Sequence, residues 1–174
     1  MKQEPLRPEK QSRSVIINDA QLSNEQIAAL EQQYRVRIQD GNYWYDNMCG
    51  AWGLKGGPVV GFVLPNLNLG GPLKADASSG NTRVFVNGRE LHLLDVLALQ
   101  QIMPVFPGRY WVDANGYGGF EGGPPLWNVW QFAYAAGGNQ GGAWSYHSKY
   151  SGSVGGDGSG FMFYQDKDTS YSVG

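Results

Sequence analysis

One segment of this chain occurs twice, at residues 41–58 and again at residues 108–124, where it is one residue shorter. Each copy contains a Tyr-Trp-x-Asp element, at Tyr43–Asp46 and Tyr110–Asp113, and each ends in Gly-Gly-Pro. The copies begin 67 residues apart and end 66 residues apart, so the deletion falls inside a turn. A pattern repeated in this way predicts one small structural unit that is used twice. It constrains the architecture strongly and the function weakly.

The pattern within each copy is typical of a β-hairpin. In the second copy, Arg109–Asp113 and Tyr117–Phe120 are predicted strands on either side of Asn115-Gly116, a pair that favours a type I′ turn. The first copy has a longer turn, Asn47–Gly50. A third hairpin is predicted over residues 82–93, around an Asn-Gly turn between two β-branched or charged runs.

Two helices accompany these hairpins. Ser23 and Gln26 have the spacing of a capping box and open a helix predicted over residues 23–36. An apolar run predicts a second, mostly buried helix over residues 94–103, which Pro104 ends. The fold class predicted is therefore α+β: a small domain rich in antiparallel β-hairpins, with two helices and an internally duplicated hairpin.

Composition supports a single domain with irregular ends. Glycine supplies 26 of the 174 residues and aromatic residues supply 13%, which is typical of a body rich in turns and strands. We expect a disordered lead-in at residues 1–13 and one α+β domain at residues 14–130. Residues 131–174 form a Gly/Ser/Tyr-rich tail, which we expect to be flexible or packed as a flap, with a last hairpin around residues 165–168.

Charge and cysteine content exclude several classes of function. A net charge of −2 provides no electrostatic attraction to nucleic acid. No apolar run approaches the ~20 residues of a membrane span, and the first residues lack the apolar core of a secretory signal. Cys49 is the sole cysteine, so neither an internal disulfide nor a cysteine-based metal cluster is expected. We expect a cytoplasmic protein without metal or other cofactor, although export without a leader stays open.

The residues with reactive side chains do not form a catalytic pattern. Asp46 and Asp113 occupy matching positions, and paired carboxylates can divide acid and base work. Each also ends a predicted strand, so we interpret both as structural carboxylates that bond the amides of their own turn. Cys49 has no histidine close in sequence to activate it, and His92 is predicted to face solvent from a strand. We therefore lean against an enzyme and predict no catalytic residue and no metal ligand.

Aromatic side chains are the best candidates for a binding surface. Adjacent residues of a strand point to opposite faces, so each Tyr-Trp pair sends one ring away from the core. The candidate binding residues are Trp44, Trp52, Trp111, Tyr117 and Phe120. They either line a groove or fill the core of a protein with few aliphatic residues, and the core is the favoured interpretation. The predicted function is a non-enzymatic protein- or peptide-interaction module, the alternatives being a carbohydrate- or small-ligand-binding module and a self-assembling structural subunit.

Several short motifs between Tyr43 and Trp130 carry a family resemblance. Among them are Trp44-Tyr-Asp46, Gly50-Ala-Trp-Gly53, Pro65-Asn-Leu-Asn68, Asp76-Ala-Ser78, Gly80-Asn-Thr82 and Asn87-Gly-Arg-Glu90. This half of the chain resembles the segment that precedes the Gα-like domain in plant extra-large G proteins. It also resembles a bacterial group of proteins with the same Tyr-Trp-Tyr-Asp and Gly-Gly-Pro pattern.

The resemblance implies a scaffold or interaction role and little chemistry. The chain has no Gly-x4-Gly-Lys-Ser/Thr phosphate loop, so GTP binding is not expected to carry over. The cysteine-rich region of those plant proteins has no counterpart here, and the resemblance therefore implies no zinc site. No catalytic residue is implied for the shared segment. The partner expected is a protein or peptide, and an oligomer is possible.

Overall fold

A computed structural model describes residues 12–136 and, beyond them, only the backbone of four short strands. Ten strands lie in the first part: β1 (Val15–Ile17), β2 (Ala20–Gln21), β3 (Gly41–Tyr45), β4 (Ala51–Leu54), β5 (Gly61–Phe62), β6 (Val84–Val86), β7 (Arg89–Glu90), β8 (Gly108–Val112), β9 (Tyr117–Phe120) and β10 (Trp127–Asn128). Its helices are α1 (Asn24–Tyr34), α2 (Leu93–Leu99) and α3 (Val129–Ala135). The later strands are β11 (Trp144–Ser148), β12 (Gly152–Gly156), β13 (Met162–Asp166) and β14 (Thr169–Ser170).

Two five-stranded sheets share one topology. The first has the order β2-β1-β3-β4-β5, and the second has the corresponding order β7-β6-β8-β9-β10. In each sheet the first hairpin is joined through a helix to a parallel strand, and the remaining neighbours are antiparallel. The α+β prediction is confirmed. The duplication extends over a whole ββαβββ unit, so residues 15–62 form a first half and residues 84–128 a second half.

The helices differ in part from the prediction. Helix α1 begins at the predicted capping box, where the Gln26 amide donates to Ser23 Oγ at 3.1 Å and the Ser23 amide donates to Gln26 Oε1 at 2.9 Å. Helix α2 ends at Leu99, four residues before the predicted end. Helix α3 was not predicted. It is capped by Asn128, whose Oδ1 accepts from the Gln131 amide at 3.1 Å.

An asparagine side chain fixes the first hairpin of each half to the neighbouring parallel strand. Asn18 Nδ2 donates to the Tyr45 carbonyl at 2.8 Å, and Asn18 Oδ1 accepts from the Tyr45 amide at 2.9 Å. Asn87 makes the same pair of bonds with Val112, at 2.8 and 3.0 Å. Both asparagines have positive φ, 48° and 52°, which asparagine tolerates better than most residues. The two halves therefore share backbone geometry as well as topology.

Each sheet packs its helix against one face, which we call the front; the opposite face is the back. The front of the first sheet and α1 bury a closed core of six residues: Val15, Ile17, Leu22, Ile27, Leu30 and Tyr45. The front of the second sheet and α2 bury a smaller cluster of three: Val84, Leu91 and Val96. Burial of these apolar side chains is the main stabilising contribution in both halves.

The halves stack with the back of the first sheet against the front of the second. Trp44, on the back of β3, is 1% exposed and packs in a cluster with Ala51 and Val112. The guanidinium carbon of Arg89, on the front of the second sheet, lies 3.9 Å from the centroid of the Trp44 ring. The contact between the halves is therefore an aromatic and cationic layer as well as an apolar one.

Beyond the two halves, β11, β12, β13 and β14 form a four-stranded antiparallel meander. The predicted last hairpin corresponds to β13 and β14, which pair through Asp166 and Thr169. The predicted tail begins inside α3, because this helix runs from Val129 to Ala135. The predicted lead-in lies almost wholly outside the described residues, as do residues 171–174.

Candidate functional site

A cavity of about 980 Å³ lies between the back of the first sheet and the front of the second. We call it the inter-sheet cavity. Helices α2 and α3 contribute to its walls, and the segment between α2 and β8 contributes Val105 and Phe106. Its sheet-borne lining includes Ala51, Phe62, Val86, Tyr110, Val112 and Trp127. A volume of this size is at the upper end of the range for ligand pockets, which is ~300–1,000 Å³.

The corresponding space in the first half is filled. Tyr45 is 2% exposed there, and its hydroxyl donates to the Leu64 carbonyl at 2.6 Å and accepts from the Leu67 amide at 3.2 Å. The matching residue of the second half is Val112, which lacks the ring. Helix α2 is also shorter than α1, with 7 residues against 11. A smaller side chain under a shorter helix leaves the front of the second sheet open.

Large apolar side chains surround the mouth of the cavity. Five lining residues are 39–67% exposed: Phe106, Phe120, Leu126, Phe132 and Tyr134. We call these five the apolar rim. Exposed apolar residues that cluster around a groove are typical of interaction sites, whereas isolated ones are ordinary. The rim belongs entirely to the second half and to α3.

A buried ion pair lies at the polar end of the cavity. Arg89 Nη1 donates to Asp95 Oδ2 at 3.2 Å and to Ser78 Oγ at 2.6 Å, and Asp95 Oδ1 accepts from the Val59 amide at 2.9 Å. Burial raises the pKa of the Asp95 carboxyl, and the charge of Arg89 opposes that rise. Because its partners come from both halves, we interpret this pair as a structural link. Within residues 12–136, Arg89 Nε is buried without a hydrogen-bond partner.

The other polar groups at this end are bonded within the protein. Asp46 Oδ1 accepts from the Met48 amide at 2.9 Å, and its Oδ2 accepts from Asn87 Nδ2 at 2.8 Å. Asp46 is 2% exposed, so neither oxygen faces open solvent. Asp113 bonds its own turn, where its Oδ1 accepts from the Asn115 and Tyr117 amides at 2.9 Å each. Both aspartates thus accept hydrogen bonds from the backbone amides of their own turns.

Cys49 and His92 form no nucleophilic pair. Cys49 is buried, and burial raises the pKa of its thiol far above the usual range, which disfavours the reactive thiolate. The prediction that His92 faces solvent from a strand is wrong. His92 is the N-cap of α2, and its Nδ1 accepts from the Leu94 amide at 3.1 Å. The strand ends early because this cap opens a helix there.

The predicted aromatic residues do not share one surface. Trp44 is buried between the halves, so it cannot line an open groove. Trp52 lies on the front of the first sheet with its ring centroid 6.1 Å from that of Tyr43. Trp111 lies on the back of the second sheet, and of the predicted rings only Phe120 lines the inter-sheet cavity. The motif alone does not show which of these rings is buried and which lines the cavity, because its two copies pack against different neighbours.

A reciprocal exchange of tryptophan and glycine relates the two sheets. Trp52 on β4 pairs with Gly61 on β5, whereas on the second sheet Gly118 of β9 pairs with Trp127 of β10. A Cβ atom at Gly118 would lie 1.8 Å from the Trp127 ring, so the glycine makes room for the indole. The tryptophan of this pair that lines the cavity is therefore Trp127. It lies on β10, outside the duplicated motif, whereas the tryptophan of the first half lies on β4, inside the motif.

Sequence reasoning missed most of the cavity-lining rings. Tyr110 lies within the duplicated motif, and no sequence motif marks Trp127, Trp130 or Phe132. One signal was available, because Asn128 is a favoured N-cap residue. The rings of Trp130, Phe132 and Tyr134 alternate with a period of two, which favours a strand and hides the helix. The ring of Trp130 packs edge-on against Phe62 of the first half, with 5.4 Å between centroids.

The described residues present no metal-binding geometry. Within them, no group of three or more His, Cys, Asp or Glu side chains is arranged to hold a metal ion. No helix in the described part of the chain has the length and apolarity needed to cross a membrane.

Two proteins of Arabidopsis thaliana are similar to this chain. One, named extra-large guanine nucleotide-binding protein 1, is 35% identical over 106 residues, which are 59% of this chain and 12% of that protein. The other, extra-large guanine nucleotide-binding protein 2, is 32% identical over 124 residues, which are 68% of this chain and 14% of that protein. No protein-family model matches the chain. No solved structure matches it either.

These similarities confirm the resemblance to plant extra-large G proteins. They do not support the bacterial grouping, which stays a prediction. The matched region amounts to about an eighth to a seventh of each relative's length, so what those whole proteins bind does not follow for this chain. What the comparisons establish is that this chain is similar to one segment of the extra-large guanine nucleotide-binding proteins.

Proposed function

We propose that this chain is a non-enzymatic interaction module whose inter-sheet cavity binds an apolar segment of a partner polypeptide. The observation that carries the proposal is the contrast between the halves. The first half closes its core, whereas the second half, built on the same frame, leaves an apolar cavity of about 980 Å³ with an apolar rim.

The rim favours a polypeptide over a small molecule. A small ligand inside the cavity would leave the five rim side chains in water, and all of them except Phe132 are more than half exposed. A peptide segment can fill the cavity with one or two large side chains and cover the rim with its own backbone and neighbouring residues. Covering both removes more apolar surface from water, which strengthens binding.

The polar end favours an apolar occupant. Asp46 and Asp95 accept hydrogen bonds from groups of the protein itself, so an occupant is offered few free polar partners there. A sugar needs several hydrogen bonds to replace those it makes with water, and burying it without them costs free energy. Aliphatic and aromatic side chains carry no such cost.

Peptides selected on the immobilised full-length chain from a random displayed library provide the test. Phe120 and Leu54 are matched positions, because each pairs across its strands with the tyrosine of the duplicated motif. Both are more than half exposed, and of the two only Phe120 lines the cavity. We expect Phe120→Lys to weaken the selected peptides about tenfold or more and Leu54→Lys to leave their affinity unchanged. Equal effects of the two substitutions would contradict the proposal.

A second candidate function is the binding of a small apolar ligand, which the volume of the cavity favours. Such a ligand would occupy the inner part near Val112 rather than the rim. Binding that is abolished by Val112→Phe and unaffected by Phe120→Lys would support the small ligand. Peptide binding is expected to respond to both substitutions, so isothermal titration with the two variants distinguishes the candidates.

A further inference from the structure

We propose a second binding surface on the back of the second sheet, where Trp111 and Asp113 take a β-hairpin from a partner protein. The hairpin recognised there carries an Asn-Gly turn followed directly by arginine. This surface lies on the opposite face of the sheet from the inter-sheet cavity, so the inference does not depend on the function proposed for that cavity. It follows from a contact that the protein already makes within itself.

The first half contains this receptor in its bound form. The guanidinium of Arg89 stacks on the Trp44 ring at 3.9 Å from the centroid. Two residues earlier, Asn87 Nδ2 donates to Asp46 Oδ2 at 2.8 Å. Arg89 and Asn87 both belong to the β6–β7 hairpin, whose turn is Asn87-Gly88. A tryptophan and an aspartate on the back of the first sheet thus recognise an Asn-Gly-Arg hairpin.

The second half orients the matching tryptophan in the same way. Trp44 Nε1 donates to the Gly57 carbonyl at 3.1 Å, and Trp111 Nε1 donates to the Gly123 carbonyl at 3.0 Å. In both cases the ring lies across its strand from a glycine, Gly53 or Gly119. The indole of Trp111 is therefore held in the position that stacks an arginine in the first half.

The matching aspartate is oriented alike. Asp46 Oδ1 and Asp113 Oδ1 each accept from the amide two residues later, at 2.9 Å. Gly50 and Gly116, which close the two turns, have the same φ of 82°. With Oδ1 occupied in both turns, Oδ2 is the oxygen that remains for an incoming asparagine amide.

Among residues 12–136, nothing covers the receptor of the second half as Arg89 and Asn87 cover that of the first. In this described part of the chain, no cation stacks on the Trp111 ring, and the donors that reach Asp113 bond its Oδ1 and not its Oδ2. Trp111 is half-buried, whereas Trp44 is 1% exposed. Beside Trp44, a Cβ atom at Gly56 would meet Ser79 Oγ at 3.3 Å, but at the matching Gly122 nothing lies within 4 Å.

Charge on this face suits a cationic side chain. Arg109 is paired with Glu121 and stacks on Phe85 at 4.8 Å from the ring centroid, so one aromatic–arginine contact already exists beside the site. Asp113 adds a second carboxylate without a second arginine. In stacked repeats each unit covers the face of its neighbour, and the last unit presents an outer face of the same design. A hairpin that carries an arginine and an asparagine at the positions of Arg89 and Asn87 fits that face.

A cyclised peptide with the sequence of residues 82–91 tests the inference against the full-length chain by isothermal titration. We expect saturable binding that weakens about three- to thirty-fold when the arginine of the peptide is replaced by glutamine. Trp111→Leu in the protein is expected to produce a similar loss. Phe120→Lys, which changes the opposite face, is the matched control and is expected to leave hairpin binding unchanged.

Three results would overturn the inference. They are an absence of binding, equal affinity for the arginine and glutamine peptides, and unchanged affinity in Trp111→Leu. The peptide pair keeps the test valid even if Trp111→Leu does not fold. Self-association of the chain alone that is lost in Trp111→Leu would assign the face to a second copy and would also contradict a partner hairpin.

Discussion

The two halves of this protein have the same strands in the same order, yet one is closed and the other is open. In the first half, Tyr45, the longer α1 and the segment after β5 fill the front of the sheet. In the second half, Val112 and the shorter α2 leave that front exposed to the inter-sheet cavity. The difference teaches that one duplicated frame can close its core in one copy and keep a cavity in the other, and the proposed binding role depends on this contrast.

The largest difference is expected between the two tryptophans of the duplicated motif. Trp44→Ala removes a fully buried ring and the surface on which Arg89 stacks, so it should lower the free energy of unfolding by about 3–5 kcal/mol. Trp111→Ala removes a half-buried ring and should cost about 1–2 kcal/mol. Urea denaturation of both variants measures the two values. Equal decreases in the free energy of unfolding would show that the two tryptophans are packed alike and would contradict the contrast between the halves.

Substitutions of Tyr45, which fills the front of the first sheet, and of Val112, its counterpart in the second, should also change the free energy of unfolding by different amounts. Tyr45→Val deletes a buried ring and leaves the Leu64 carbonyl and the Leu67 amide without their partner, so it should cost about 3 kcal/mol. Val112→Tyr places a ring beside an open cavity and should change stability by no more than about 1 kcal/mol. Thermal and urea unfolding test the pair together. A Val112→Tyr variant as unstable as Tyr45→Val would mean that the second front is already full.

The exchange of tryptophan and glycine predicts an intermediate effect. A Cβ atom at Gly118 would lie 1.8 Å from the Trp127 ring, whereas one at Gly61 would lie 3.0 Å from the Trp52 ring. Gly118→Ala should therefore cost about 2–3 kcal/mol and Gly61→Ala about 1 kcal/mol or less. Unfolding free energies of the two alanine variants decide the order. The opposite order would mean that Trp127 moves more freely than Trp52.

The smallest expected effect on stability concerns the turn of the first hairpin in each half, where Asp19 in the first half corresponds to Gly88 in the second. Hydrogen bonds from Lys55 and Lys74 lower the pKa of Asp19 from 3.8 to about 2. A carboxyl whose pKa is lowered by folding stabilises the protein above its unfolded pKa, and that contribution disappears as pH falls toward the folded value. The stability advantage of the wild type over Asp19→Asn should therefore shrink between pH 4 and pH 2. A constant difference across that window of pH, measured by thermal unfolding, would contradict the ion pairs.

Much of the frame could be predicted from the sequence because its signals are local. The Tyr-Trp-x-Asp copies located β3 and β8, and Asn87-Gly88 located the β6–β7 hairpin. The equivalence of β1–β2 to that hairpin was missed, since the two share little beyond the asparagine that fixes the turn. Positive φ at Asn18 is maintained by side-chain bonds to a strand 27 residues away, which no local pattern reveals.

The inter-sheet cavity could not be predicted, because it depends on which residues face each other across the two halves. The repeat aligns Val112 with Tyr45, but only the structure shows that the Tyr45 ring fills the front of its sheet and that Val112 leaves this space open. The ring at the cavity wall is Trp127 rather than a residue of the repeat, because the glycine and tryptophan have exchanged strands. Helix α3 is not predicted because the rings of Trp130, Phe132 and Tyr134 alternate with a period of two, a pattern that favours a strand.

The most direct test of the closed and open halves is a titration of methyl-labelled protein with a small apolar probe such as p-xylene, followed by NMR. The account predicts that methyl shifts change for Val86, Leu99 and Val112, which line the inter-sheet cavity, and stay constant for Val15 and Ile17 in the closed core. Shifts of equal size in both sets, or shifts confined to the first half, would contradict it.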